Sequence, residues 1–515
     1  MGASAIDPNT PVIIGVGQFA ERLGEPDYAA LSPVEIGVAA ARKALSDTLS
    51  IDRLAVEIDV IASIRQAEIS LPHLVAPFGC SNNFPRSIAR CIGAHPKRAI
   101  LEGTGGEGPQ QLIHEFAGEI SAGRTRMALF VSAEAISTMR DLLRRGEKPD
   151  WSEEVEGSVE DRGFGGDITT GALDRHNAVN PIAVYSLLEN ARRLKLGLDR
   201  KAYALQMGNL FAAFTRVAAE NPYAMTREAL SPQDIATTTD RNRLVTDLFP
   251  RRVVARDQVN LGAAVLMTSY ATATALGVPR NRLVYPLAGA DTRDNLVELR
   301  PDLAIGVASQ RAASAAIHRA GIDIEAIDIF DLYSCFPIAV SNICDGLGIA
   351  ADDSRQLTVT GGLPFFGGPG NAYSMHAIAE TVNRLRLRRS GIALVGANGG
   401  YLSKYSAGIY SAVPAGWRGA VRLQSDSAHT VSLVAASELS GGEIGVLESW
   451  VVTLVGSQPT LTAVGRLASA PGRRFVATAA RDDHGLVARM QSTEERHVEL
   501  KLSPGSDGLI LASAP

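Results

Sequence analysis

The feature that most constrains this chain is a pattern that occurs twice. Thr104-Gly-Gly-Glu-Gly-Pro opens a helix predicted from Gln110 to Ala122. A basic turn (Arg124, Arg126) and the apolar strand Met127 to Val131 follow. Far downstream, Gly367-Gly-Pro-Gly-Asn opens a helix predicted from Tyr373 to Leu387, again followed by basic residues (Arg386, Arg388, Arg389) and a strand, Ile392 to Val395. His114 lies eight residues after Gly106, and His376 lies eight after Gly368. An internal repeat of glycine turn, helix and strand points to a duplicated α/β architecture.

The rest of the chain fits around that repeat. Val12 to Gly17 reads as a buried strand, and Ser32 to Ser46 as a helix with apolar residues at Val34, Ile36, Ala40, Ala41 and Leu45. From about 137 to 255 the character changes to charged loops and helical stretches such as Tyr203 to Glu220, as expected of an inserted, largely helical subdomain. The α/β pattern resumes at Asn260-Leu-Gly-Ala-Ala-Val-Leu-Met. Short β-rich runs then close the chain: Val431 to Ala435, Ile444 to Val455, Leu461 to Val464, Phe475 to Ala479 and Val498 to Leu502. Split by Gly, Pro and Ser turns, they predict a small all-β barrel or sandwich. The expected division is 1–270 (with 137–255 inserted), 271–415 and 416–515.

Composition narrows the function classes. With 515 residues, 46% hydrophobic and 20% charged, the chain can bury a large core. A net charge of −5 gives no global basic field for nucleic acid. The longest apolar runs, such as Leu261 to Met267, are too short to span a bilayer. Met1-Gly-Ala-Ser-Ala-Ile-Asp-Pro carries neither the basic flank nor the apolar stretch of a signal peptide. Cys80, Cys91, Cys335 and Cys344 form neither a disulfide framework nor a metal-binding spacing, so a cytoplasmic protein without a bound metal is expected.

Three phrases carry a family resemblance. Gly361-Gly-Leu-Pro-Phe-Phe-Gly-Gly-Pro resembles the thiolase segment Gly-Gly, spacer, Gly-His-Pro. Leu394-Val-Gly-Ala-Asn-Gly-Gly resembles the strand and turn that hold the second thiolase cysteine. Asp331-Leu-Tyr-Ser-Cys-Phe resembles the loop that reads His-Asp-Cys-Phe in the sterol-carrier-protein type. Together with the C-terminal β region, the set over residues 10 to 412 resembles the thiolase superfamily, and within it the thiolase-like protein type 1 branch. The resemblance implies a duplicated, layered α-β-α-β-α fold with coenzyme A or an acyl-CoA thioester as ligand and no covalently bound cofactor. It further implies nucleotide contacts from residues 137–255 and a monomer or homodimer, since thiolases pair through the edge of the first-half sheet.

The same resemblance exposes a gap. Thiolase acyl transfer needs a thiolate at a helix N-terminus, a histidine that activates it, a second cysteine as acid and base, and oxyanion-hole donors. Here the nucleophile position falls on Gly105, the Gly-His-Pro histidine on Gly368, the second cysteine on Asn398, and the remaining loop residue on Tyr333. Glycine carries no acyl group, so a cysteine-linked intermediate is not expected.

Four side chains remain as catalytic candidates, each with a plainer reading beside it. Tyr333 is a hydrogen-bond donor or acid, or a packed loop tyrosine. His376 reaches the same cavity, or is a solvated helical histidine with Glu380 at i+4. Cys335 replaces the lost thiol, or is a small core residue. Asn398 supplies an amide donor, or simply forms a turn. Gly105, Gly106, Gly368 and Gly399 allow close approach of a ligand, and the turns at 103–108 and 367–370 offer amides as oxyanion-hole donors. An aldol or retro-aldol step on an acyl-CoA, with Tyr333 and His376 moving the protons, fits this set. The alternative is non-catalytic acyl-CoA binding with the β region as a docking module.

Overall fold

Near-continuous apolar runs become strands covered on both faces. The computed structural model describes residues 6–49, 54–178, 180–350, 353–424, 430–456 and 458–515. The first sheet holds β1 (Pro11–Ala20), β2 (Val60–Ile64), β3 (Arg98–Glu102), β4 (Met127–Ala135), β5 (Glu160–Asp161) and β6 (Asn260–Ser269). Their order is β1-β6-β4-β2-β3-β5. Every residue of β4 and β6 is buried, which is why these strands read as apolar runs rather than as alternating patterns.

The second sheet holds β7 (Tyr285–Arg293), β8 (Ile329–Asp331), β9 (Ile392–Gly399), β10 (Lys404–Ser411) and β11 (Ala420–Leu423), in the order β11-β7-β10-β9-β8. Its core repeats the first sheet: β7-β10-β9-β8 matches β1-β6-β4-β2 strand for strand. In both sheets the first two pairings are antiparallel and the third is parallel. The repeated pattern in the sequence is thus a true structural duplication.

Each glycine turn opens one of the two central helices, Gly108–Ser121 and Tyr373–Arg388, which pack against each other and against strands of both sheets. Outer helices Pro33–Ser46 and Val307–Ala320 cover the far faces, completing five layers. The first outer helix begins at a capping box in which the Ser32 hydroxyl accepts from the Glu35 amide and the Glu35 carboxylate accepts from the Ser32 amide. Such caps are worth about 1 kcal/mol. From the last turn of the second central helix the Arg386 guanidinium donates to Asp47, to the Arg282 carbonyl and to the Ile14 carbonyl, tying that helix to the first half.

The C-terminal region is a closed barrel. After β12 (Ser432–Leu433) come β13 (Glu443–Val455), β14 (Gln458–Leu467), β15 (Ala470–Ala479), β16 (Glu499–Pro504) and β17 (Ile510–Ser513). Pairing runs β15-β14-β13-β16-β17 and returns from β17 to β15, so this ring leaves no free edge. The helix His484–Ser492, which the β-rich reading did not anticipate, packs on the barrel. There the Met490 carbonyl accepts a 2.9 Å bond from the Trp450 indole.

The barrel is docked on the helix Pro181–Leu196. Ser449 Oγ donates to the Leu187 carbonyl at 2.6 Å, and Asn190 Nδ2 to the Trp450 carbonyl at 3.2 Å. Beside it, fully buried Arg474 pairs with Glu448 and donates to the carbonyls of Glu298 and Arg300. No helix among the described residues is long and apolar enough to cross a membrane.

Candidate functional site

The loops that leave β3, β8 and β9 converge with the turn ahead of the second central helix on a cavity of about 790 Å³. That size suits a ligand pocket. The loop after β8 is fixed by Asp331. Its buried carboxylate accepts from the amides of Val359 (2.9 Å) and Thr360 (3.2 Å), from the Thr358 hydroxyl (3.0 Å) and from the Tyr373 hydroxyl (3.1 Å). Burial pushes this carboxyl up to about 6 against the pull of those bonds. The turn after β9 is held open by left-handed backbone at Tyr401 (φ 56°) and Leu402 (φ 63°), at a cost of order 1 kcal/mol each.

Tyr333, Cys335, Asn398, Gly105, Gly106, Gly368 and Gly399 all line this cavity. Tyr333 is buried, packs edge-on against Tyr373 at 5.3 Å, and is held well above the ordinary phenol range by burial. It therefore stays protonated, a donor rather than a base. Gly106 is required beneath it, because a β-carbon there would sit 2.7 Å from the Tyr333 hydroxyl oxygen and 3.1 Å from its ring. Asn398 Nδ2 donates to the Tyr185 hydroxyl at 2.8 Å and lies 3.7 Å from Cys335 Sγ, while its Oδ1 has no partner. Burial pushes the Cys335 thiol up to about 12, so it offers no thiolate at neutral pH.

His376 does not reach the cavity, and it is not solvated. Fully buried between the two halves, it donates from Nδ1 to Gln18 Oε1 at 2.9 Å and packs against Phe366, with burial driving it down to about 3. The helical register that turns it toward β1 turns it away from the ligand, so it cannot move protons there. The second glycine turn also loses its expected role as a donor. The Gly368 amide donates to the Arg256 carbonyl at 2.7 Å, and the Gly370 amide to the Gly368 carbonyl at 2.9 Å. The turn at 103–108 remains as the oxyanion-hole candidate.

The cavity also contains residues that sequence reading passed over. Tyr185, Phe164 and Lys404 line it, and Tyr185 comes from the Pro181–Leu196 helix that the barrel supports. Nothing local marks Tyr185, because only the folded chain brings it to Asn398. Glu107 was visible inside Gly105-Gly-Glu-Gly, where a carboxylate at a helix start is a usable signal. Its buried side chain lies beneath Gly105 and Gly399, with Lys404 Nζ 3.8 Å away.

Two sheets of repeated topology around two central helices, with the glycine turns meeting at one cavity, define the thiolase fold. No family model and no curated protein matches the chain. Among solved structures, a monomeric SCP2-thiolase-like protein type 1 from Mycobacterium smegmatis is 37% identical, covering 99% of this chain and 100% of its own, with a TM-score of 0.82. The chain belongs to that SCP2-thiolase-like protein type 1 family, within the thiolase superfamily. An Ltp2–ChsH2(DUF35) aldolase (16% identity, 78% of this chain and 98% of its own, TM-score 0.53) shares the fold. So does the Acat5 thiolase from Ascaris suum in complex with coenzyme A (14%, 78% and 99%, 0.54).

Proposed function

We propose that this thiolase-like protein binds an acyl thioester of coenzyme A in the 790 Å³ cavity and polarises its carbonyl for carbon–carbon bond chemistry that passes through no acyl-enzyme. One observation carries the reading: the cavity keeps hydrogen-bond donors but has no nucleophile. The Tyr333 hydroxyl and the glycine turn at 103–108 remain, whereas Gly105 has no side chain and the Cys335 thiol is pushed up to about 12. A polarised thioester needs only donors at its oxygen to stabilise an enolate, so loss of the thiolate does not remove that chemistry. The likeness to a coenzyme-A-bound thiolase and to an aldolase supports the choice of ligand and reaction class. In this reading the barrel stiffens the wall of the cavity by holding the helix that carries Tyr185.

Calorimetry with coenzyme A and acetyl-CoA tests binding. Incubation of an acyl-CoA with acceptor aldehydes and ketones, followed by mass spectrometry, tests turnover. Expected are saturable binding, a carbon–carbon product that Tyr333→Phe reduces, and no acyl adduct on the protein. Binding without turnover, indifferent to Tyr333→Phe, would leave a binding protein. Absence of binding would end the reading.

A further inference from the structure

None of Tyr333, His376 and Asn398 gives the cavity described above a base. Tyr333 is held protonated, His376 lies elsewhere, and Asn398 does not titrate. The carboxylates that line it, Asp167 and Asp257, are both exposed, whereas a third, Glu107, is buried directly behind its glycine wall and borders the adjoining polar space. Glu107 is the N-cap residue of the first central helix, two residues past the glycine at the nucleophile position. A β-carbon built on Gly105 would fall 2.6 Å from the Glu107 carboxyl carbon, and one built on Gly399 would fall 2.9 Å from it. Both glycines line the cavity, so the space that side chains at those two positions would take is filled by this carboxylate.

Its hydrogen bonding is also incomplete. Oε2 is buried without a protein partner, and Oε1 lies 3.8 Å from Lys404 Nζ. A buried carboxylate oxygen with no donor is costly unless something comes to use it.

We propose that Glu107 is the catalytic base of this site, taking a proton from the α-carbon of a bound acyl thioester. The proposal rests on the acyl-CoA reading above. In the step, the Cα–H bond breaks and its proton passes to a Glu107 carboxylate oxygen. The bonding pair moves into the enolate, whose charge comes to rest on the thioester oxygen beside the Tyr333 hydroxyl and the glycine turn at 103–108. Reprotonation by the same carboxyl restores the thioester; alternatively the enolate carbon attacks an aldehyde or ketone, the acceptor's C=O π bond breaks as the carbon–carbon bond forms, and the alkoxide takes the proton held by Glu107.

The surroundings suit a base of intermediate strength. Burial raises the Glu107 carboxyl, while Lys404 from β10 and Arg293 at the end of β7 pull it back. Glu102 at the end of β3 raises it further. Glu107 in turn raises the Tyr333 phenol, while Arg162 and Asp291 border the polar space on its far side. A base poised above the ordinary carboxylate range is better matched to removing a weakly acidic proton at neutral pH.

The test is exchange of the α-protons of acetyl-CoA in D2O, followed by mass spectrometry, with calorimetric binding measured in parallel. Wild type is expected to bind and to exchange, with a rate that rises through an inflection above the ordinary carboxylate range. Glu107→Gln should bind within about twofold while exchange falls at least about 100-fold. Lys404→Met should move the inflection to higher pH, a shift that a merely structural carboxylate would not produce. If Glu107→Gln fails to fold, the wild-type pH profile and its displacement in Lys404→Met decide alone. Binding without exchange in wild type, or unchanged exchange in a folded Glu107→Gln, overturns the base while leaving the binding site standing. No acetyl-CoA binding by wild type overturns both.

Discussion

His114 Nδ1 lies 3.0 Å from Asp291 Oδ1, a carboxylate of the opposite half, and His376 repeats this arrangement against Gln18 at 2.9 Å. Each histidine sits eight residues past its glycine turn, and each central helix thus inserts an imidazole into the other half's sheet. The copies differ in charge. Asp291 is ionisable, and its carboxyl is held below the usual range by His114 despite burial, whereas Gln18 is neutral.

That difference sets a first prediction. His376→Leu leaves the Gln18 amide oxygen unpaired and should cost roughly 1–3 kcal/mol in urea unfolding. His114→Leu removes the imidazole partner of a buried carboxylate and leaves it only the Ser406 hydroxyl, so it should cost more, roughly 3–5 kcal/mol. Acyl-CoA affinity should survive His376→Leu. Lost affinity at unchanged stability would show that His376 serves the ligand after all.

The same histidine fixes a direction with acid. Native His376 stays neutral down to about 3, while in the unfolded chain it takes a proton below about 6.5. The unfolded state therefore binds the extra proton, and stability should fall as pH drops from 6.5 toward 3. Glu134 works the opposite way. Fully buried at the end of β4, with one bond from the Ala67 amide and Glu68 nearby, it is raised to about 8. The native state keeps a proton that the unfolded chain releases above about 4.5, so stability should decline between those values. The loss is on the order of several kcal/mol, at about 1.4 kcal/mol per pKa unit. Glu134→Gln should flatten the alkaline limb of a melting-temperature profile. An unchanged limb would mean that Glu134 ionises freely in the folded state.

Restoring the family nucleophile alone should not restore thiolase chemistry. In Gly105→Cys the new β-carbon meets the Glu107 carboxyl, which should cost roughly 1–3 kcal/mol through overpacking. Beside that carboxylate the thiol should also be raised rather than activated. Intact-mass measurement after incubation with acetyl-CoA should show no acyl adduct on the introduced thiol. Stoichiometric acylation would refute the reading of a filled nucleophile position.

The free edge of the first sheet is taken within the chain. β5 pairs in parallel with β3, Ile100 opposite Glu160 and Leu101 opposite Asp161. Arg162 anchors the segment through Glu102, Glu115 and Glu160. Thiolase-type pairing through that edge should therefore be blocked, and sedimentation at micromolar concentration should give the mass of one chain. A stable dimer that survives Arg162→Ala would place the interface elsewhere.

Much of the fold is legible in the sequence. Glycine turns, helix periods and apolar runs act over a few residues, so the repeat around Gly106 and Gly368 announced the duplicated sheets. Local turns in the last hundred residues likewise announced the barrel. The absence of a thiolate at Gly105 also needed only the sequence, because a glycine has no atoms to offer. Which groups meet was decided by tertiary structure alone. The direction of a helical side chain depends on what packs against it, and this sent His376 to Gln18 rather than to the ligand cavity. Long-range packing brought Tyr185 to Asn398 and laid the Glu107 carboxylate beneath Gly105 and Gly399. Burial, which no short stretch of sequence specifies, then set the protonation of Tyr333 and Cys335.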